Sequence, residues 1–306
     1  MGRVLVVGSY NAGLTVFTDR LPRPGETIGD ARFDSGPGGK GANQAVGLRR
    51  LGVDAAFIAR LGADPFGEQG RDVLLEEGLP AWGLLTGADP TGVAFIMVQD
   101  DGENSIVVAP GANAALTLGD VTELEDRIGA ADVVVVQLEC RAELAVDVAR
   151  WARAAGRRCV LNPAPVRPLT AEELACFDVI TPNETELAGL TEALGLEASA
   201  SEAQAVALVD LGVDDVIVTL GESGALWASV SGTRRFASYP VEVRDTTGAG
   251  DAFNAGLVAG LAGGATMPEA IDLGCRAGAY CVTRAGVIDG LATRRALDDL
   301  QPEEAT

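Results

Sequence analysis

The sequence predicts an α/β fold with a doubly wound, mostly parallel sheet and a small β-sheet lid. Short apolar runs typical of buried strands alternate with segments of helical periodicity, first over residues 4–78 and again from residue 132 onward. Residues 12–35 and 91–110 interrupt this alternation with strand-like segments and turn residues. With 306 residues and 47% hydrophobic content, the chain can bury a substantial core. We therefore expect residues 1–306 to form one domain, with lid segments at about 12–35 and 91–110.

The individual elements follow from periodicity and turn residues. The first half predicts strands at 4–8 and 55–60 and helices at 41–51 and 66–78. The lid segments predict a hairpin of strands 92–99 and 104–108, and two short strands between residues 15 and 33. The second half predicts strands at 133–136, 159–161, 179–180 and 216–219, and helices at 144–155, 184–190, 203–211, 252–261 and 267–283. Ligands of such sheets bind beyond the carboxyl ends of the strands, so we expect one crevice bordered by the turns after Val7, Val136, Ile180, Thr219 and Val243.

Charge and composition exclude several classes of function. The 23 basic and 44 acidic residues give a formal net charge of −21, which disfavours nucleic acid or an anionic membrane as the main partner. No apolar run approaches the length of a membrane-spanning helix, and we expect a cytoplasmic protein. The chain has no histidine and five scattered cysteines, which disfavours a disulfide framework, a zinc site and a histidine-based catalytic triad.

The segment from Arg244 to Asn254 carries the strongest chemical signal. It reads Arg-Asp-Thr-Thr-Gly-Ala-Gly-Asp-Ala-Phe-Asn, which sets two carboxylates, Asp245 and Asp251, around a glycine turn before an apolar helix. The free N–H groups and dipole at a helix N-terminus attract phosphate, and Asp251 could reach a substrate hydroxyl beside it. The alternative is that Asp251 only stabilises the first turn of the helix.

A second glycine-rich segment precedes the first predicted helix. Gly36-Pro37-Gly38-Gly39-Lys40-Gly41 formally matches G-x-G-x-x-G, but it lacks the preceding strand and the later acid of a dinucleotide site, and no P-loop motif occurs. Lys40, the only lysine in the chain, and Asn43 could instead donate hydrogen bonds to a small polar ligand. A simple tight turn is the structural alternative.

Together with other segments, these motifs resemble the ribokinase-like, PfkB-type family of carbohydrate kinases, and ribokinases most closely. The resemblance covers about residues 4–290. It rests on these two motifs and on Gly111-Ala112-Asn113-Ala114-Ala115-Leu116, Gln137-Leu138-Glu139, Leu161-Asn162-Pro163-Ala164-Pro165, Thr181-Pro182-Asn183-Glu184-Thr185-Glu186 and Thr219-Leu220-Gly221, all in family order.

The resemblance implies transfer of the γ-phosphate of ATP to a primary hydroxyl of a pentose such as ribose. Asp251 would be the general base, and the backbone N–H groups of Gly248, Ala249 and Gly250 would form an anion hole. Glu186 would hold Mg²⁺ through water, although an exposed helix acid is its structural alternative. The residues implied to bind the nucleotide are Asn183, Glu186, Thr219, Gly221 and Gly224.

The resemblance also implies a monovalent cation, usually K⁺, behind the anion hole. Asp245 would supply the charge, and oxygen ligands suit such a hard cation. Gly290 stands where many relatives have a serine, so one side-chain ligand is missing. The implied carbonyl ligands belong to Thr247, Cys281, Arg284 and Gly286.

The acceptor site departs from the family at one position. Asn11, Gly39, Lys40, Asn43 and Glu139 match the sugar-binding residues, but Gly13 stands where ribokinases usually carry an acid. The substrate could therefore be ribose with water in the gap, another sugar or a nucleoside. A catalytically inactive sensor of sugar or nucleotide is the alternative from another class. We also expect a homodimer formed through the lid.

Overall fold

The structure is a computed structural model that describes residues 2–100, 103–129, 131–196 and 200–300. Its strands, in chain order, are β1 Arg3–Val7, β2 Asn11–Thr18, β3 Arg32–Gly38, β4 Asp54–Gly62, β5 Leu84–Gly87, β6 Gly92–Gln99, β7 Asn104–Ala109, β8 Ala131–Gln137, β9 Arg158–Asn162, β10 Val179–Ile180, β11 Asp215–Thr219, β12 Ala225–Ser229 and β13 Gly232–Phe236. Its helices are α1 Lys40–Arg50, α2 Pro65–Glu76, α3 Leu118–Thr122, α4 Glu125–Ile128, α5 Ala142–Ala154, α6 Ala171–Leu174, α7 Glu184–Ala193, α8 Ser201–Asp210, α9 Ala249–Ala262, α10 Met267–Cys281, α11 Val287–Gly290 and α12 Arg294–Asp298.

The large sheet has the strand order β13-β12-β11-β10-β9-β8-β1-β4-β5. The strands from β11 through β5 pair in parallel, and only β12 and β13 pair antiparallel at one edge. The predicted mostly parallel sheet is therefore confirmed. The sequence did not predict β5, β12 and β13; β5 and β13 are the two edge strands, and β12 lies next to β13. An edge strand buries less apolar surface, so its hydrophobic pattern is weaker.

Helices cover both faces of the large sheet, as a doubly wound fold requires. Alternate residues of β1 point to opposite layers, so Val4 and Val6 belong to one buried cluster and Leu5 and Val7 to another. The first cluster includes residues of α1, α9 and α10, and the second includes residues of α5, α7 and α8. This arrangement fixes the N-termini of α1 and α9 near the carboxyl ends of the central strands.

The small sheet has the order β3-β2-β6-β7. The β2–β3 and β6–β7 pairs are antiparallel, whereas β2 and β6 run in parallel. The predicted hairpin strands at 92–99 and 104–108 are confirmed. The two strands expected between residues 15 and 33 lie only partly in that range: β2 begins before it, at Asn11, and β3 ends after it, at Gly38. Pro22, Pro24 and Gly25 interrupt the segment between them.

Two further observations concern segments outside the sheets. Residues 237–243 form no strand, so Val243 does not end one as the expected crevice implied; Pro240 in this segment cannot donate a ladder hydrogen bond. Over the described ranges, no helix is both long enough and apolar enough to cross a membrane.

Candidate active site

A cleft lies at the carboxyl ends of the central strands. Asn162 ends β9, Thr181 follows β10 and Thr219 ends β11, while Lys40 begins α1 and Asp251 lies in the first turn of α9. Of the segments expected around the crevice, those after Ile180 and Val243 line this cleft, as does Thr219, whereas no residue of the turns after Val7 and Val136 is among the lining residues described. The residues that line the cleft are Lys40, Asn162, Ala164, Thr181, Asn183, Glu186, Thr219, Thr246, Gly248, Ala249, Gly250, Asp251 and Asn254.

The glycine turn opens α9 as the sequence predicted. Gly248 precedes the helix with φ 81°, and a Cβ there would lie 2.7 Å from Cγ1 of Val287. Among the described residues, no acceptor contacts the backbone N–H of Gly248 or Gly250, whereas the Ala249 nitrogen lies 3.3 Å from the Thr246 oxygen. Two of the three N–H groups expected in an anion hole are thus unpaired at the cleft.

The carboxylate of Asp251 is only 6% exposed and is held by two amide side chains of α1. Asn43 Nδ2 donates to Oδ2 at 2.7 Å, and Gln44 Nε2 donates to Oδ1 at 3.0 Å. Both oxygens therefore have a fixed direction inside the cleft. A buried acceptor-only group held this way is suited to receive a proton from a bound hydroxyl.

Lys40 brings positive charge to this group of acids. Burial lowers the pKa of its ammonium, but Asp251, Glu139 and Glu186 raise it more, so its pKa lies above its ordinary value. Lys40 is therefore charged at neutral pH. Its charge is the local compensation that an anionic phosphate needs in a chain of strongly negative net charge.

Glu139 joins the residues expected at the acceptor end. Its Oε2 accepts hydrogen bonds from the Lys40 backbone N–H at 2.9 Å and from Asn11 Nδ2 at 3.3 Å. Gly39 has φ 94°, and a Cβ there would lie 2.7 Å from the Asn11 nitrogen, so only glycine allows this close approach. Asn11, Gly39, Lys40, Asn43 and Glu139 thus form one continuous group with Asp251.

Gly13 lies on β2 two residues after Asn11 and therefore on the same face of the small sheet. Its neighbours in the sheet are Gly36 and Ala94. A Cβ at position 13 would lie 3.4 Å from the Gly36 oxygen, and one at position 36 would meet nothing within 4 Å. Position 13 therefore has open space, and its two neighbours in the sheet carry no polar side chain.

Asn183 and Glu186 form a reciprocal cap at the start of α7. The Glu186 backbone N–H donates to Asn183 Oδ1 at 2.8 Å, and the Asn183 backbone N–H donates to Glu186 Oε2 at 2.9 Å. Burial raises the pKa of Glu186, and the negative charge of nearby Asp251 raises it further. The hydrogen bond from the Asn183 N–H and the charge of Lys40 lower this pKa by less, so it lies above its ordinary value. Glu186 is therefore a cleft residue, and not the exposed helix acid of the alternative interpretation.

Glu186 fits the coordination that Mg²⁺ prefers, because this ion usually combines one or two carboxylates with water and substrate phosphates. Among the described residues, no donor contacts Glu186 Oε1. Thr219 lines the same cleft and pairs with Asn183. Gly221 and Gly224 lie in the turn after β11 and are not among the cleft-lining residues.

The residues expected around a monovalent cation also come together. The Thr247 and Gly286 N–H groups donate to the two oxygens of Asp245 at 2.9 and 3.0 Å. Cys281 Sγ lies 3.6 Å from the Thr247 oxygen, and the Arg284 N–H donates to the Cys281 carbonyl. Oxygen ligands suit such an ion, but the described contacts of Asp245 are two N–H donors, and the Thr247 and Cys281 carbonyls themselves accept hydrogen bonds.

Gly290 packs against the side chain of Cys281. A Cβ there would lie 2.9 Å from Cys281 Sγ, so the thiol fills the space that a side chain would need. A side chain at position 290 would therefore require Cys281 to move.

Four polar residues that support the cleft were not predicted from the sequence: Gln44, Asn162, Thr181 and Asn254. Gln44 Nε2 also donates to Asn162 Oδ1 at 3.1 Å, Thr181 Oγ1 donates to Asn254 Oδ1 at 2.7 Å, and Asn254 Nδ2 donates to the Gly250 carbonyl at 2.9 Å. Asn162, Thr181 and Asn254 lie within motifs already quoted, and Gln44 lies three residues after another, but a polar residue in or near a motif does not reveal its partners. A polar residue at the end of a buried strand or on an apolar helix is expected to need a hydrogen-bond partner, and this was the signal that could have identified these residues.

Comparison with known proteins agrees with this geometry. Residues 1–294 match the family described as pfkB family carbohydrate kinase. A ribokinase from Haemophilus influenzae is 37% identical over 291 residues, 95% of each chain, and a deoxyribokinase from Salmonella typhi is 34% identical over 260 residues, 82% of each chain.

Solved structures give the same result. The crystal structure of a ribokinase from Thermotoga maritima has a TM-score of 0.91 at 31% identity, covering 98% of this chain and 99% of that chain. A ribokinase from Arabidopsis thaliana, complexed with ribose and ATP, has a TM-score of 0.87 at 31% identity, covering 98% of both chains. The chain therefore belongs to the pfkB family of carbohydrate kinases.

Proposed function

We propose that this chain is an ATP-dependent kinase that phosphorylates the primary hydroxyl of a pentose such as ribose. The observation that carries the proposal is the position of the Asp251 carboxylate. It is buried, it is held by Asn43 and Gln44, and it lies beside Lys40 and the glycine turn with its unpaired N–H groups. The ribose and ATP bound to the Arabidopsis ribokinase support the same pair of substrates.

In this proposal Asp251 takes the proton of the acceptor hydroxyl. The hydroxyl oxygen forms a bond to the γ-phosphorus while the bond from that phosphorus to the β-γ bridging oxygen breaks, and ADP leaves. The N–H groups of Gly248 and Gly250, with Ala249 between them, stabilise the charge on the transferring group. Lys40 adds positive charge on the acceptor side. Mg²⁺, when bound, would neutralise charge on the nucleotide phosphates, with Glu186 holding it through water.

The remaining site residues divide between the two substrates. Asn11, Gly39, Lys40, Asn43 and Glu139 would bind the sugar, with Gly13 bordering it. Asn183, Thr219, Gly221 and Gly224 would bind the nucleotide. Asp245 and the carbonyls of Thr247, Cys281, Arg284 and Gly286 would hold K⁺ behind the glycine turn. Because the donor is ATP, we propose a cytoplasmic site of action.

The open space at Gly13 favours a second candidate, a kinase of another sugar or of a nucleoside. A missing acceptor for a buried hydroxyl costs about 1–3 kcal/mol, so a substrate without a hydroxyl at that point would lose nothing. The similarity to a deoxyribokinase supports this option. An inactive sensor is disfavoured because Asp251, the glycine turn and Glu186 line one cleft.

An assay of ADP release with ribose, deoxyribose, fructose and nucleosides tests the proposal. We expect pentoses to give the highest kcat/KM. Higher kcat/KM for a nucleoside or a hexose would reject the pentose assignment, and no ADP release with any acceptor would support the sensor.

A further inference from the structure

We propose that Gln44 is a positioning residue that fixes the carboxylate of Asp251 for proton transfer, with Gln137 holding the other end of the Gln44 amide. This inference rests on the proposed role of Asp251 as the general base. Gln44 follows Asn43 on α1, and Gln137 ends β8, so the two glutamines come from separate elements that meet beneath the cleft.

The hydrogen bonds around Gln44 allow only one orientation of its amide. Gln137 Nε2 donates to Gln44 Oε1 at 2.6 Å, so the Gln44 nitrogen lies on the opposite side. There it meets two acceptors, Asp251 Oδ1 at 3.0 Å and Asn162 Oδ1 at 3.1 Å. A reversed amide would turn its oxygen toward the Asp251 carboxylate and its nitrogen toward the Gln137 nitrogen. Both contacts are repulsive.

Burial makes this amide difficult to replace. Gln44 is 1% exposed and Gln137 is 2% exposed, so bulk water does not reach the hydrogen bond. Asn43 holds only the other oxygen of Asp251. Without Gln44, the carboxylate would keep a single amide donor and could rotate away from the bound hydroxyl.

The loss would also change how activity depends on pH. A hydrogen bond to a carboxylate favours its charged form, which is the form that accepts a proton. The other titratable groups that act on Asp251 are Lys40 from α1, Glu186 from α7 and Cys281 from α10, and none is changed by a substitution at Gln44. Removing the amide should therefore move the acidic limb of the activity profile to higher pH.

The test is the full-length Gln44→Met variant, which keeps the side-chain length and removes the donor. At neutral pH we expect kcat to fall about tenfold or more, with the KM for ATP within a few-fold of the parent. We expect the acidic midpoint of kcat against pH to rise by about one unit, the shift that corresponds to a tenfold change in protonation equilibrium.

Two variants complete the experiment. Gln137→Met should move kcat and the acidic midpoint in the same direction by a smaller amount, and it carries the test if Gln44→Met does not fold. Thr191→Val removes another buried hydrogen-bonding group, on α7, and should leave both quantities unchanged.

Two results would overturn the inference. A folded Gln44→Met enzyme with parental kcat and an unchanged acidic midpoint would exclude positioning by Gln44. A fall in kcat with an unchanged midpoint, matched by Thr191→Val, would indicate a structural role alone. Neither result bears on the proposed function, which is tested separately by the assay of acceptors and by the turnover of Asp251→Asn.

Discussion

At the scale of single residues, the proposed acceptor site departs from the family pattern at residue 13. Gly13 lies on the face of β2 that carries Asn11, and its neighbours Gly36 and Ala94 offer no polar group. A carboxylate at this position would reach into the open space beside Gly36, where a Cβ has normal contact distance. A single side chain can therefore distinguish a ribose enzyme with a water-filled gap from an enzyme with another substrate.

The corresponding variant is Gly13→Asp. If the parent enzyme uses ribose through a water-filled gap, the KM for ribose should fall about 5-fold to more than 100-fold, because restoring an acceptor for a buried hydroxyl contributes roughly 1–3 kcal/mol. The KM for ATP should change little. If the natural substrate is different, activity on it should fall while ribose activity rises. Steady-state kinetics that are unchanged for every acceptor would show that residue 13 does not face the sugar.

At the scale of elements, the N-terminus of α9 places a glycine turn of positive φ beside Asp251, the proposed general base. Gly248 needs positive φ and close contact with Val287 at one end of the helix, whereas Gly264, just beyond the other end, has φ 80° and nothing near its absent Cβ. The two glycines therefore share the same backbone requirement but differ in their surroundings.

Alanine at each position separates backbone strain from function. Gly248→Ala and Gly264→Ala should each lower the free energy of unfolding by about 1 kcal/mol through the left-handed conformation. Only Gly248→Ala should also lower kcat, by about tenfold or more, because Val287 would push the N–H groups out of place. Urea unfolding and steady-state assays measure the two effects, and equal kcat values would contradict the assigned role of the turn.

Asp245 connects two loops, and its contribution should depend on pH. Burial raises the pKa of Asp245, but hydrogen bonds from Thr247 and Gly286 lower it more, so its folded pKa lies below the ordinary value of about 3.9. Its stabilisation is therefore fully present above that value and is lost as pH falls through the folded pKa. Asp245→Asn should lower the free energy of unfolding by roughly 1–3 kcal/mol at pH 7 and by less below about pH 4. An equal loss at both pH values would contradict this.

For the whole molecule, the sequence predicted the arrangement of layers better than the edges and the polar network. Continuous apolar runs such as Val133–Val136 suit buried parallel strands, and these strands were predicted. The edge strand β13 lacks such a run, since its Arg234 and Arg235 are exposed. The partners of Gln44 could not be predicted, because Asn162 and Asp251 are more than a hundred residues away in sequence. The single-domain assignment stays a prediction.

The small sheet also bears on assembly. Its outer face exposes Phe33, Phe95 and Val107 at 61%, 51% and 65%, and the strand registers put all three on one side. We propose that a second copy of the chain covers this face in a homodimer. Light scattering at micromolar concentration in physiological salt should give a dimer, and Phe95→Asp should weaken it. A parent protein that is entirely monomeric under these conditions would reject the dimer.

The measurement that tests the central claim most directly is the turnover of Asp251→Asn with ATP and the best acceptor. The amide keeps the shape of the side chain but cannot accept the hydroxyl proton as a carboxylate does. We expect kcat to fall at least about 10²-fold, since general-base catalysis contributes roughly 10² to 10⁴, while ATP affinity measured by calorimetry stays within a few-fold. Turnover close to that of the parent enzyme in a correctly folded variant would contradict the proposed mechanism.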